Sequence, residues 1–471
     1  MKLRRSLALL GPGRFRGASI GWVAAGVLLA VPILVSAEVL PALRLSALAS
    51  DPAVTGAQAQ LRALEQRLVQ AQAGFGPTAV LTAGNNSSRY NEAPAYDLRE
   101  FTTKQAVLQV TQPLVRTALY HSLTGAKAQL EQAQAALEQV RNESTVRLLE
   151  ASFETLKSRD AVVLVAAQRI AAEEQHESAR RKFKIGNATI VDVREAEAKI
   201  DTVAAQQIAA DADLELKQQV LTELVGRPVP ELLERGLAAD SMPGLKANTV
   251  LEWLADAELN NPQVRQAQLG VTAAQAEERK AWQGHAPTAD LVYSYTMNSD
   301  TGTVTSIFPR RGNTQQIGVN ITLPLFASGA TQAKVRELIA LREKAESDLA
   351  AARRTVQLGV RQTFSASLSS VSLARGLETA ARSLELAMQA NRRGYEVGMK
   401  VNAEVLEAQS KWFEARRELS RARYDAWLNF LKLRAYAGQL TDDDVRALDA
   451  YLVVEASVVP RGRSAPREPK P

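Results

Sequence analysis

Few residues in this 471-residue chain are placed to do chemistry. There is no cysteine, which excludes disulfides, thiolate metal ligands and a lipidated cysteine anchor. The three histidines, His121, His176 and His285, are far apart and lack ligand spacing, which argues against a metal site. No stretch has the form of a nucleophile elbow or a serine-histidine-aspartate constellation. What remains is a carboxylate pair, Glu404 and Glu407. On a helix they stand one turn apart on one face, and such a pair is most simply a solvated face. The basic run Arg180-Arg181-Lys182 reads the same way, as a solvated helix end. No cofactor is expected, and no enzyme.

The glutamates sit inside a repeat. FKIGNATIVDVREAEAK begins at Phe183, and YEVGMKVNAEVLEAQSK begins at Tyr395. Their alignment pairs Gly186 with Gly398, Asp192 with Glu404, Ala196 with Ala408 and Lys199 with Lys411. Pro-Thr-Ala-x-Leu occurs at Pro77 and again at Pro287, Pro-Leu at Pro113 and Pro324, and Gly226 matches Gly438. The chain is therefore a tandem duplication with a period of roughly 211 residues, far longer than a solenoid unit. Two copies of one device suit a symmetric wall, ring or channel.

The formal charge of +6 is a property of the ends. Residues 1–37 carry Lys2, Arg4, Arg5, Arg14 and Arg16 with no acid, and the tail from Pro460 carries four basic groups against Glu468. Removing +5 and +3 from +6 leaves −2 for residues 38–459, which offers no basic face for nucleic acid. Residues 1–37 read as an export signal: a basic start, an apolar run from Ile20 to Val35, and a small-residue cleavage site ending at Ala37. No other run could span a membrane as a helix. An exported chain of this kind could still enter a membrane as a β-barrel.

Proline placement outlines the elements. Leu114 to Arg227 and Leu325 to Val459 contain none and are rich in strong helix formers. Leu123, Leu130, Ala133, Leu137, Val140 and Ser144 make a thin, alanine-rich stripe suited to close helix packing. A helix from near Thr117 to Phe183 would extend roughly 100 Å. Gly186 and Gly398 are the natural breaks, so each half holds a long helical hairpin. Each half also opens with a helix, about Asp51 to Ala73 and Leu251 to Gln283.

After those first helices the period changes to two. Ala289, Leu291, Tyr293, Tyr295 and Met297 alternate with polar neighbours, as do Ile317, Val319, Ile321 and Leu323; Ala106, Leu108 and Val110 form a weaker version. Such runs of about ten residues are the signature of transmembrane barrel strands. The links Asn91 to Glu100 and Thr301 to Gly312 are expected as outer loops. Four strands cannot close a barrel, and open edges are not tolerated in lipid, so strands must be shared between protomers. The expected organisation is a first repeat over 38–246 (strands 78–90 and 103–112, hairpin 117–225). A second repeat covers 247–452 (strands 288–298 and 314–323, hairpin 328–437), and a disordered tail covers 453–471.

This order of elements, with the paired glycine motifs and Leu323-Pro-Leu-Phe before a helix, resembles the TolC-like outer-membrane efflux proteins over residues 40–452. The resemblance implies a mainly α homotrimer in the outer membrane. Its long periplasmic α-helical barrel would continue into a twelve-stranded β-barrel in contact with outer-membrane lipid. It also implies a periplasmic adaptor and an inner-membrane pump, ABC or proton-driven, as partners. The segment Ala390 to Gly438 looks nearer to the type I secretion branch.

By resemblance, Glu404 and Glu407 occupy the positions of aspartate rings that line the family's periplasmic aperture, where acidic rings favour cations. The links that close the family's tip fall on Asp192, Tyr395 and Lys400, with Lys400 replacing the usual arginine and its planar fork. Gly186, Thr189 and Gly398 are the expected adaptor contacts. The rival reading is a periplasmic coiled-coil adaptor or scaffold, which predicts no lipid-facing strands.

Overall fold

The computed structural model describes residues 38–92, 97–238, 241–244 and 249–454. The export signal expected over 1–37, and the tail from residue 455 onward, lie outside the described residues. The first half contains α1 (Val39–Ser50), α2 (Pro52–Ala73), β1 (Thr78–Glu92), β2 (Asp97–Val115), α3 (Thr117–Lys184), α4 (Ile190–Val225), the short α5 (Pro230–Leu233) and β3 (Arg235–Leu237). The second contains α6 (Val250–Asn260), α7 (Pro262–Trp282), β4 (Thr288–Asp300), β5 (Arg310–Thr322), α8 (Ala330–Glu396), α9 (Asn402–Tyr436), α10 (Asp442–Tyr451) and β6 (Leu452–Val454).

The expected helix from Asp51 to Ala73 is α2, preceded by the unforeseen α1, whereas the one expected from Leu251 to Gln283 is split at a proline step. Ahead of its strands each half has a helix pair, broken at Asp51-Pro52 and at Asn261-Pro262. A residue before proline is pushed out of the α region, while proline itself fits the first helical position. Both pre-proline residues are extended and cap the next helix. Asp51 accepts from Ala53 N at 2.9 Å, and Asn261 accepts from Gln263 N at 2.8 Å. The single helix expected from Leu251 to Gln283 is therefore α6 plus α7, because apolar periodicity ran through a break that the backbone could not.

The strands form one antiparallel sheet in the order β1-β2-β4-β5. Its register places Ala79, Val110, Tyr293 and Ile317 in one row, with Leu81, Leu108, Tyr295 and Gln315 in the row two residues outward. The opposite face carries rows such as Val80, Gln109, Ser294 and Gln316. One face is thus mostly apolar near the helices and the other mostly polar. β1 and β5 each keep one unpaired edge. Both strand pairs run further than expected: β2 begins at Asp97 and β5 at Arg310, inside segments read as loops. Ladder bonds are made by backbone, so pairing continues after the apolar alternation stops.

α3 and α8, of 68 and 67 residues, are each roughly 100 Å long. α3 packs against α2, α4, α7 and α9, and α8 against α6, α7 and α9. Small residues make the close approach possible. Gly125, Ala126, Ala128, Ala133 and Ala135 are buried along α3, and a Cβ on Gly359 would stand 2.6 Å from the Tyr436 ring.

The thickest core forms where α1, α5 and α10 join the middle of α3 and α9; Leu40, Leu43, Leu148, Phe153, Leu232, Tyr424 and Leu448 are all buried there. Asp449 accepts from Val39 N and Leu40 N at the start of α1 and from Arg235 at 3.2 Å. β6 pairs with β3 through Leu237 and Leu452. Residues 453 and 454, expected in a disordered tail, are therefore part of this sheet.

Candidate functional site

The two hairpin turns end α3 and α8 in the same way. Gly186 and Gly398 adopt φ +77 and +81, the left-handed region that only glycine enters without strain. Behind each, a backbone N–H reaches five residues back, Asn187 to Lys182 O and Met399 to Gly394 O, both at 2.8 Å. This six-residue closure stops a helix sharply.

The next helices start differently. Thr189 and Asp192 form a reciprocal capping box. Thr189 N donates to Asp192 Oδ2 at 2.7 Å, and Asp192 N donates to Thr189 Oγ1 at 3.2 Å. Val401 holds the equivalent place before α9 and has no capping oxygen. The neighbouring Asn402 turns towards the first hairpin instead. It is fully buried, donates to Asp192 O at 3.0 Å and accepts from Gln175 Nε2 at 2.7 Å.

A second tie runs beside it. The Lys182 ammonium stands 3.6 Å from the centroid of the Tyr395 ring and also donates to the Tyr395 carbonyl. Tyr395 is 6% exposed, and its hydroxyl has no partner within the protomer among the described residues. Burial first, and the negative charge of Asp192 second, raise its pKa above the ordinary tyrosine value. Lys182 therefore corrects the reading of Arg180-Arg181-Lys182 as a purely solvated end.

The expected gate residues Asp192, Tyr395, Lys400, Glu404 and Glu407 all lie at or near these turns. Lys400 pairs with Glu404, and Glu407 with Lys411 at 2.6 Å. The hydrogen bond from Lys411 lowers the Glu407 pKa. Within one protomer, the Asp192 carboxylate is engaged by its own helix cap and Lys400 by Glu404. Gly394 makes room for Lys400, whose Cγ would lie 2.8 Å from a Cβ placed there.

Both turns also expose apolar side chains. Ile185, Val191, Val397, Met399 and Val401 are all more than half exposed, Met399 at 80%. Gly186, Thr189 and Gly398 lie among them and are exposed. Gln175, Lys182 and Asn402 were missed from sequence. Asn402 carried a weak signal, a buried-type polar residue opening a helix behind a valine that cannot cap.

Among the described residues no cluster of histidine, aspartate and glutamate could hold a metal. No helix among them is long and apolar enough to cross a membrane.

The family described as outer membrane efflux protein matches the chain twice, over residues 43–227 and 253–439. Outer membrane protein TolC of Vibrio cholerae serotype O1 is 30% identical over 410 residues, 86% of this chain and 92% of that protein. Proteases secretion protein PrtF of Dickeya chrysanthemi is 27% identical over 86% of this chain and 89% of its own. The crystal structure of the outer membrane protein VceC from Vibrio cholerae superposes with a TM-score of 0.69 at 19% identity, covering 85% of this chain and 96% of that one.

Proposed function

Because the chain belongs to the outer membrane efflux protein family, we propose that its helical turns are the periplasmic gate of a trimeric outer-membrane channel. The observation that carries this reading is the four-stranded sheet, with one apolar face, one polar face and two open edges. Three copies supply twelve strands, with β1 of one protomer pairing with β5 of the next, which removes every edge from lipid. The polar face then lines a water-filled lumen. The long helices extend that lumen into the periplasm, and their thin stripes are buried against neighbouring protomers.

Function here is conduction and gating, not catalysis. Three-fold symmetry turns Glu404 and Glu407 into rings around the aperture. Each ring is partly neutralised by Lys400 or Lys411, which weakens its hold on cations. Closure rests on the ties between the two hairpins: Lys182 to Tyr395, and Gln175 to Asn402 to the backbone of Asp192. Asp192, Tyr395 and Lys400 hold their own turns in the shape those ties require. Opening is a shift of one hairpin relative to the other, driven by a partner that binds the open arrangement more tightly.

That partner is a periplasmic adaptor, seated on the apolar turns around Gly186, Thr189 and Gly398, with an inner-membrane pump, ABC or proton-driven, behind it. A relative named for protease secretion supports a polypeptide cargo and the type I secretion route. A scaffold without a barrel is not favoured, since it gives the apolar sheet face no solvent.

The test is single-channel recording in a planar bilayer, together with the mass of the purified protein in detergent. A trimer with a small, cation-preferring conductance is expected. A non-conducting monomer or dimer would overturn the reading.

A further inference from the structure

We propose that Lys104 and Arg311, with Ser299 between them on the apolar face of the sheet, bind the phosphate of an anionic lipid in the outer leaflet. The sheet register sets these residues side by side. Asn85 pairs with Lys104, Lys104 with Ser299, and Ser299 with Arg311, so all four occupy one row of one face. That face is the apolar one, since the next row towards the helices is Ala83, Ala106, Met297 and Asn313.

The height of the row matters. From the Ala289–Ile321 pair to the Met297–Asn313 pair is roughly 26 Å of strand at about 3.3 Å per residue. Tilted by about 40°, that run covers about 20 Å of membrane, close to the apolar band of about 25 Å expected for such barrels. The next row, at the end far from the helices, falls where the hydrocarbon of the outer leaflet gives way to headgroups.

Both cations are exposed, and neither has an ion-pair partner among the described residues. The arginine further out on the same face, Arg89, is by contrast matched by Glu100, its Nε donating to Oε1 at 2.6 Å. A cation left on a lipid face is unfavourable unless an anion meets it. Lys104 and Arg311 are two strand spacings apart, roughly 10 Å between backbones, and their long side chains can converge on one group above the Ser299 hydroxyl. A shallow depression formed by β1, β2 and β4 from Ala83 to Asn85, Lys104 to Ala106 and Met297 to Ser299 lies at this height, with Arg311 on β5 just outside it. Its two alanines leave room for the first carbons of an acyl chain. Phosphate, which accepts bidentate arginine and lysine together, is the headgroup chemistry that fits.

The inference rests on the barrel reading above, so the wild-type protein is first checked for conductance. The test is native mass spectrometry of the delipidated trimer, given a bis-phosphorylated disaccharide lipid or its phosphate-free counterpart. Wild type is expected to retain the phosphorylated lipid, and Lys104→Gln with Arg311→Gln about fivefold less of it while remaining trimeric. Equal retention by wild type and variant, or no preference for phosphate in the wild type, would overturn the site. Displacement of the bound lipid by millimolar inorganic phosphate alone would also count against it, since it would indicate a free-ion site. A conducting trimer that shows no such preference sinks this inference and leaves the channel intact.

Discussion

The ammonium of Lys182, near the end of α3, lies over the ring of Tyr395, near the end of α8, 3.6 Å from its centroid. The two halves of the duplication meet here on unequal terms. Phe183, the repeat equivalent of Tyr395, is 42% exposed, whereas Tyr395 is 6% exposed. Contacts of this kind contribute about 0.5–2 kcal/mol, more as the cation is desolvated.

Lys182→Gln should therefore raise the resting conductance of the trimer in planar bilayers. Tyr395→Phe should leave it near wild type, because it keeps the ring and removes a hydroxyl with no partner within the protomer. The raised Tyr395 pKa carries a sign. Its stabilising effect is complete below the ordinary tyrosine value near 10 and is lost as pH rises through the raised folded value. A phenolate titration in which Tyr395→Phe removes a group ionising at the ordinary value would contradict the burial account.

Asn402→Ala removes the central member of a buried relay. It leaves the Gln175 amide unmatched in the tip and takes from the Asp192 carbonyl its contact with the second hairpin, at a cost of about 1–3 kcal/mol. The expected result is an open-state conductance with the trimer preserved. Asn402→Asp, which cannot donate to the Asp192 carbonyl, should behave similarly. Wild-type conductance in both variants would mean the relay does not hold the gate.

The lysines beside the carboxylates give a test of the rings. Lys400→Gln with Lys411→Gln should unmask Glu404 and Glu407 and lower the concentration of multivalent cation needed to block the pore, by about tenfold. Glu404→Gln with Glu407→Gln should raise it. If block is unchanged in both directions, these glutamates do not line the aperture.

Asp449 gathers the start of α1 and the Arg235 guanidinium on one buried carboxylate. Asp449→Ala takes that carboxylate from a buried arginine and from two helix N–H groups, a loss of roughly 3 kcal/mol. A lower melting temperature and less trimer on extraction are expected, with single-channel conductance unchanged in the trimers that form. An unaltered melting temperature would show that this belt does not limit stability.

Much of the fold was legible because its signals are local. The two glycine turns follow from a backbone conformation that only glycine accepts easily, and the strand faces follow from a period of two. The extension of β2 and β5 into polar sequence was not legible, because hydrogen-bonded ladders ignore side-chain polarity. α1 and α10 were missed for another reason. Both are short, and they are held by a core built from segments some four hundred residues apart, as the Asp449 bond to Leu40 illustrates.

The sequence alone determined the duplication, the hairpins, the apolar face of the sheet and the need for several chains to close it. Each of these depends on residue type at a fixed spacing. Tertiary structure alone decided which side chains meet at the tip. Gln175 and Asn402 are 227 residues apart, and Asn402 and Asp192 are 210 apart. Where those partners fall depends on how helices of roughly 100 Å slide and turn against one another. A shift of one residue along a helix rotates each side chain by about 100°, so the contacts are set by packing over the full length of both hairpins. That is why the glycines could be named as turns in advance, while Lys182, Gln175 and Asn402 emerged only from the folded chain.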